Sequence, residues 1–318
     1  MEFSMRPFRQ LATFALVMTY VVILAGAVVR GTDSGLGCPD WPRCFGQWIP
    51  PVDISELPDN YKEIYQVAGK TIADFDPFKT WIEYLNRLLG AFLGLVIVWL
   101  FARSFSQGEK EPNLPWFCGG LLLLVILQGG VGALVVFSHL KPFVITIHMA
   151  LALLLLFGLH YLTKYCDDLD NFGIDFKPDA VNLRLTKGLL ATGFIQVLLG
   201  TQVREQVDHH LRDTDSTSRL TLVAQLDWSF YVHRSFSLVF IALLGLSIHR
   251  LYRHDPSGSA LTRAWFTLTL VLLNVASGVG LNYFGFPAQL QPPHLFIGVL
   301  VMGLLFQQYL NQKGSLIS

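Results

Sequence analysis

Three of the nine histidines lie near the start of a long apolar segment: His148, His233 and His294. An ionisable side chain at membrane depth is costly and normally faces the interior of a helix bundle. Two imidazoles from facing helices are a recurrent axial ligand pair for heme iron. Because His233 and His294 are expected at equal depth in one half of the chain, we predict that they hold one heme. The alternative is that each donates a hydrogen bond to a neighbouring helix.

In the other half, the position that should pair with His148 is residue 86, which is Asn86. Asparagine is not a useful ligand of heme iron. We therefore expect this site either to bind iron through His148 alone, with the opposite face open to oxygen or water, or to have been lost or changed. His139, in the connection before the helix of His148, is the nearest alternative ligand by sequence.

Glu83, Asn86 and Arg87 project from one face of a predicted helix. A carboxylate there could deliver protons or stabilise charge beside a bound cofactor, or it could simply pair with Arg87. Arginine binds carboxylates through paired hydrogen bonds, so arginines near the outer surface are candidates to hold heme propionates; snorkelling to the interface is the alternative. These arginines are Arg30, Arg87, Arg204 and Arg234.

Cys38 and Cys44 lie close together in the first long connection, whereas Cys118 and Cys166 lie at the opposite ends of their helices. A close pair on the oxidising side of a membrane suits a disulfide. Free thiols or a metal site are the alternative, but no further Cys or His is close enough in sequence to complete a zinc site. We predict a Cys38–Cys44 disulfide.

The elements that must position these residues are membrane helices. The composition is 52% hydrophobic and 14% charged, with a mean hydropathy of +0.46, which is typical of membrane proteins. The formal net charge is zero, so nothing indicates nucleic acid as a partner. About 20 apolar residues cross the hydrocarbon core, and eight such stretches occur, at about 8–29, 80–103, 115–138, 143–163, 185–203, 229–250, 262–284 and 293–311. The predicted fold is an all-α integral membrane protein with eight transmembrane helices.

The sequence also contains an internal repeat. The matches are "GAVVRGT" (Gly26–Thr32) with "LLGTQVRE" (Leu198–Glu205), "YLNRLLG" (Tyr84–Gly90) with "YVHRSFS" (Tyr231–Ser237), and "GGVGALVVF" (Gly129–Phe137) with "SGVGLNYF" (Ser277–Phe284). Four helices separate each matched pair, so we predict two tandem four-helix bundles related by a pseudo-two-fold axis along the membrane normal. The predicted domains are 1–166 and 185–318, joined by a cytoplasmic linker at 167–184, with a cap formed by the extracytoplasmic connection at about 31–79.

Orientation follows from the Lys and Arg residues in the connections. The termini and the even-numbered connections carry more of them than the odd-numbered connections. This bias predicts that both termini lie in the cytoplasm.

At these same residues the sequence resembles the heme A synthase family over all eight helices. The resemblance rests on "GAVVRGTDSGLGCPDWPRCFGQWIPP" (Gly26–Pro51), "EYLNR" (Glu83–Arg87), "TIHMALALLL" (Thr146–Leu155), "LGTQVREQVD" (Leu199–Asp208), "HR" (His233-Arg234) and "PPH" (Pro292–His294). The first stretch, with its C-P-D-W-P-x-C core, is the most specific.

The resemblance implies an enzyme of the bacterial plasma membrane or the mitochondrial inner membrane. Such an enzyme oxidises the methyl group on ring carbon 8 of heme O to a formyl group, which gives heme A for terminal oxidases. A heme b would be held by His233 and His294, with the substrate heme O at His148 in the amino-terminal half. Glu83 would accept protons or stabilise positive charge at the methyl carbon. Family members usually have histidine where this chain has Asn86.

Partners implied by the resemblance are heme O synthase, the cytochrome oxidase assembly machinery and further copies of the chain in a homo-oligomer. The competing class is a di-heme electron carrier of the cytochrome b561 kind, which should have a histidine pair near each membrane face. Here the candidate ligands lie on one side. A third interpretation is a secondary transporter built from internal repeats. Whether the Cys38–Cys44 pair is structural or exchanges electrons is left open by the sequence.

Overall fold

The computed structural model describes residues 5–108, 111–170, 179–213, 225–254, 256 and 258–314. Its α-helices are α1 (Arg6–Gly31), α2 (Tyr61–Ile64), α3 (Pro77–Ser104), α4 (Leu114–Phe137), α5 (Pro142–Leu169), α6 (Ala180–Asp213), α7 (Trp228–His254), α8 (Ser259–Tyr283) and α9 (Gln291–Lys313). All except the short α2 are long and apolar enough to cross a membrane, and the described residues form no β-strand. The predicted all-α integral membrane fold with eight spans is confirmed.

The helix that carries Arg204 is much longer than its apolar segment. The sequence places the end of this span near residue 203, but α6 continues to Asp213. An ion pair between Arg204 and Asp208, one helical turn apart at 2.9 Å, stabilises the polar extension. Hydropathy marks only the part of a helix that lies in hydrocarbon, so it underestimates a helix that continues into water. Residues 171–178 of the predicted linker lie outside the described residues.

Capping hydrogen bonds to Asp76 and Asp227 determine where α3 and α7 begin. The Asp76 carboxylate accepts hydrogen bonds from the backbone N–H groups of Phe78 and Lys79, and Pro77 is the first residue of α3, a standard N-terminal arrangement. Before α7, Asp227 accepts a hydrogen bond from the Ser229 backbone N–H at 2.8 Å.

The start of α7 is also attached to α6 through Gln206. Its side-chain amide donates to Asp227 and to Ser229, at 2.6 and 2.7 Å, and its oxygen accepts from the Asp227 backbone N–H at 2.9 Å. Hydrogen bonds from Ser229 and Gln206 lower the pKa of the Asp227 carboxyl. These hydrogen bonds join Gln206 of α6 to the residues that begin α7. They therefore hold the first turns of α7, which carry His233, against α6.

The described chain divides into two compact units. In Gln10–Leu159, α3 packs against α4, and Phe14 of α1 meets Phe92 of α3 edge to face, with ring centres 6.3 Å apart. The other unit comprises the described residues of His160–Ser318 and Met1–Arg9. There α6 packs against α7 and α9, while α8 packs against α7 and α9, so these four helices form a closed ring.

The connection between α1 and α3 folds as a small structure of its own. Its core is apolar and includes the predicted disulfide, which is present and fully buried. The core residues are Cys38, Cys44, Phe45, Leu57, Tyr61, Val67 and Ile72. The Cys38–Cys44 prediction is confirmed, and Cys118 and Cys166 are buried and not disulfide-bonded.

Candidate functional site

His233 and His294 face each other inside the carboxy-terminal unit. Their ring centres are 6.4 Å apart and the ring planes are inclined at 72°. An imidazole nitrogen binds a transition metal at about 2.0 Å, so two imidazoles on opposite sides of one iron atom need ring centres about 6 Å apart. The observed separation fits a heme iron between the two side chains.

The hydrogen bonds of His294 determine which ring nitrogen could bind a metal. Nδ1 lies 3.1 Å from the backbone oxygen of Asn274 and 2.9 Å from the Ser277 hydroxyl. A carbonyl oxygen only accepts hydrogen bonds, so Nδ1 carries the proton and Nε2 keeps its lone pair. Fixing a ligand's tautomer through its second nitrogen is a general feature of metal-binding histidines.

His233 is held through its backbone rather than its ring. The side-chain amide of Gln196, on α6, donates to the His233 carbonyl oxygen at 2.7 Å. Within the described residues, the buried Nδ1 of His233 has no hydrogen-bond partner. The buried Nδ1 of His148 is likewise without a hydrogen-bond partner there, so this feature is common to both units.

Glycines allow the neighbouring helices to approach both rings closely. A Cβ on Gly200 would lie 3.3 Å from Cε1 of His233, and a Cβ on Gly278 would lie 3.1 Å from Cε1 of His294. Such contacts are tighter than nearly all real Cβ contacts. Any side chain at these glycines would therefore push the imidazoles out of position.

The amino-terminal unit repeats this framework around Asn86 and His148. A Cβ on Gly26 would lie 3.8 Å from Oδ1 of Asn86, and a Cβ on Gly132 would lie 3.2 Å from Cε1 of His148. Gly132 is therefore the structural counterpart of Gly278. The sequence match of the two glycine-rich segments, which pairs Gly130 with Gly278, is wrong by two residues, because short glycine repeats align equally well in more than one register.

His148 itself has a partner that the sequence did not indicate. The side-chain amide nitrogen of Gln128, on α4, lies 3.2 Å from Nε2 of His148, on α5. His139, the alternative ligand, lies in the turn after α4 with a left-handed backbone at φ 55°. The Nε2 atom of His148 is thus in contact with an amide.

Glu83 and Arg87 form a buried ion pair that is attached to the disulfide loop. Arg87 Nη2 donates to Glu83 Oε1 at 2.6 Å, and the other carboxylate oxygen accepts from the Cys38 backbone N–H at 2.9 Å. Arg87 also donates to the backbone oxygens of Cys38, Asp40 and Arg43, at 2.8, 2.6 and 3.0 Å. The guanidinium group of Arg87 is occupied by the loop and by Glu83.

The disulfide loop lies directly against the backbone of α3. A Cβ on Gly37 would lie 2.5 Å from the backbone oxygen of Lys79, so only glycine fits there. The Thr80 hydroxyl donates to the Gly37 oxygen at 2.9 Å. Together these contacts fix the loop over the first turns of α3, next to Glu83.

The remaining candidate arginines have different surroundings. Arg204 donates to Gln291 at 2.6 Å and pairs with Asp208. Arg234 is exposed and lies against the rings of Phe230 and Tyr231, and Arg30 lies in the last turn of α1. Arg234 is the repeat counterpart of Arg87, but residues 214–224 of the matching connection lie outside the described residues.

Comparison with known proteins gives a family for this arrangement. Residues 9–306 match the sequence model of the COX15-CtaA family, described as cytochrome oxidase assembly protein. The chain belongs to this family. Its curated relatives bear the name heme A synthase, and the family resemblance found in the sequence is confirmed.

Among the relatives, the heme A synthase of Brucella anthropi is 24% identical, in a match that covers 96% of this chain and 93% of that protein. The heme A synthase of Brucella ovis is 22% identical, with coverage of 96% and 90%. The protein of the same name from Shewanella oneidensis is 33% identical, but that match spans only 44% of this chain and 39% of the relative.

Proposed function

We propose that this chain is a heme A synthase that oxidises the methyl group on ring carbon 8 of heme O to a formyl group. The observation that carries the proposal is the facing pair His233 and His294 in one unit, with His148 and Asn86 at the equivalent positions of the other. One unit then offers two iron ligands and the other offers one. The family match over residues 9–306 supports a shared function.

The carboxy-terminal unit would hold a heme b through His233 and His294. When bound there, a heme b would supply one-electron redox chemistry for the electrons removed from the substrate. Ser277 and the Asn274 carbonyl would keep the His294 ring in its ligand tautomer. Arg234, which is exposed, is the candidate for a heme propionate in this unit.

The amino-terminal unit would bind heme O through His148, and Glu83 would act near the reacting methyl group. Removing electrons from a methyl carbon releases protons, so a carboxylate that accepts them lowers the barrier. The contacts with Arg87 and the Cys38 N–H hold the carboxylate in one position. The buried disulfide supports a structural role for Cys38 and Cys44, because it keeps the loop that contacts Glu83 in place.

Pigment analysis tests the function directly. We expect the full-length protein, purified from cells that make heme O, to contain heme B together with heme O, heme A or the hydroxylated intermediate, separated by reversed-phase chromatography. Deleting the gene should abolish heme A and restoring it should recover heme A. Protein that carried heme B alone, in cells that make heme O and heme A normally without it, would contradict the proposal and favour a di-heme electron carrier.

Replacing Glu83 with glutamine should leave bound heme unchanged and reduce heme A formation by about a hundred-fold, within the range for losing a general base. The amide keeps the shape of the side chain but cannot accept a proton. A matched control is Thr80→Val, which removes another loop contact, to the Gly37 oxygen, without changing charge. Heme A formation is measured in cells expressing each variant.

We expect Thr80→Val to retain heme A formation. Full turnover by Glu83→Gln would remove Glu83 from the chemistry. Equal losses in Glu83→Gln and Thr80→Val would instead assign Glu83 to anchoring the loop.

We further propose a bacterial plasma membrane location with both termini in the cytoplasm and the disulfide loop outside. The native cysteines are buried or bonded, so single cysteines at exposed positions make better reporters. We expect an impermeant maleimide to label Ser55→Cys on intact cells and Ser106→Cys only after permeabilisation. Labelling of the opposite set would invert the topology.

A further inference from the structure

His148 and His294 both lie against the backbone of the residue at the matched position, Gln128 or Asn274, but they differ in the contact made by Nε2. In His294, Nδ1 makes the hydrogen bonds, and no hydrogen bond to Nε2 is found within the described part of the chain. In His148, Nε2 is the nitrogen that meets the amide of Gln128, at 3.2 Å. In His294 the hydrogen bonds to Nδ1 leave Nε2 as the nitrogen available to a metal, and the corresponding atom of His148 is already engaged by protein.

Apart from this difference, His148 and His294 are surrounded by residues at matching positions of the two units. Gln128, Gly132 and His148 follow one another at the same spacing as Asn274, Gly278 and His294. Each glycine lies against Cε1 of its histidine. The glutamine and asparagine side chains therefore start from equivalent positions on α4 and α8.

Asn274 is one methylene group shorter than Gln128 and points elsewhere. Its side-chain nitrogen lies 3.6 Å from the Cβ position of Gly298 on α9, whereas its backbone oxygen accepts from His294. Ser277, which also contacts the His294 ring, is replaced by Val131 in the amino-terminal unit. One histidine is fixed with its ligand nitrogen free, and the other has that nitrogen covered by a displaceable side chain.

We propose that Gln128 competes with heme iron for Nε2 of His148 and so makes the amino-terminal site an exchangeable one. The inference rests on the proposed function, in which His148 binds heme O. A substrate heme must enter and its product must leave in every cycle, whereas a resident heme b must stay. A neutral amide hydrogen bond is a weak competitor, so it lowers heme affinity by only about five-fold.

Exchanging the side chains of Gln128 and Asn274 tests whether Gln128 competes with heme iron. In Gln128→Asn the amide is shortened to the length found at the other site, and in Gln128→Met the length is kept without a hydrogen bond. Both should slow heme loss from the amino-terminal site about five-fold. Asn274→Gln should speed heme loss from the carboxy-terminal site by a similar factor. The probe is hemin loaded onto the purified full-length protein, and its transfer to apomyoglobin is followed separately in the high-spin and low-spin spectra.

His148→Ala, measured in parallel, separates the two ways in which the idea can fail. If this variant leaves heme at the amino-terminal site unchanged, His148 is not the ligand and the proposed substrate site is wrong. If His148→Ala removes that heme, the proposed substrate site is supported. If, in addition, Gln128→Asn and Gln128→Met release heme at the original rate or faster, the proposed competition is wrong. Gln128 would then support His148 rather than compete for it, and the inference falls.

Discussion

His233→Ala and His294→Ala should each remove at least nine-tenths of the low-spin heme b absorbance of the purified protein. Each substitution deletes one axial ligand, and the two rings face each other at 6.4 Å, so a heme between them loses half of its protein coordination. The measurement is the reduced-minus-oxidised spectrum per mole of protein. Loss of heme b should also stop heme A formation, because no redox group remains in that unit.

His249→Ala is the matched control, because His249 is exposed and lies on α7, the helix of His233. It should keep the spectrum of the unmodified protein. If His233→Ala and His294→Ala also kept an unchanged spectrum, the bis-histidine site would be wrong. Loss in all three variants would indicate a general failure to fold, which the thermal transition of each apoprotein would reveal.

The candidate iron ligands could be picked out from the sequence because of their chemical contrast with the surroundings. A histidine within an apolar segment has few roles, so His148, His233 and His294 stand out even without a structure. The Cys38–Cys44 pair stands out for a similar reason, since two cysteines close together in one connection have few other partners. Eight spans follow from hydropathy alone.

The partners of those ligands could not be predicted, because they depend on how helices rotate and approach one another. Gln128 is an ordinary polar residue by sequence, and only the packing of α4 on α5 brings it to His148. Gly132 could be matched with its repeat counterpart only after its contact with His148 was seen. The contacts of Arg87 with three loop carbonyls likewise arise from the folded loop and carry no sequence signal.

The two units have retained a common framework while their outer contacts have diverged. In the amino-terminal unit Glu83 and Arg87 secure a disulfide loop, whereas the counterpart arginine, Arg234, lies against Phe230 and Tyr231 instead. At the ligand positions the divergence is a single residue, Asn86 against His233. Two strong ligands close both faces of a bound iron, whereas one strong ligand leaves the opposite face accessible.

Asn86→His should convert the amino-terminal heme from a high-spin to a low-spin centre. Asparagine cannot replace imidazole on iron, so heme in the unmodified protein has His148 as its only strong ligand in this unit. An imidazole at residue 86 should fit, because Gly26 lies beside Asn86 as Gly200 lies beside His233. The side-chain oxygen of Asn86 is also buried and has no hydrogen-bond partner within the described residues, so its removal breaks no hydrogen bond.

Electron paramagnetic resonance of the oxidised protein, loaded with heme at both sites, measures the change. The unmodified protein should give one low-spin and one high-spin signal in similar amounts, and Asn86→His should give two low-spin signals. The double variant Asn86→His, His148→Ala should return the high-spin signal. If the unmodified protein already showed two low-spin bis-histidine centres, a histidine other than residue 86 would have to bind the second iron, and His139, in the turn that leads into α5, would be the first to replace.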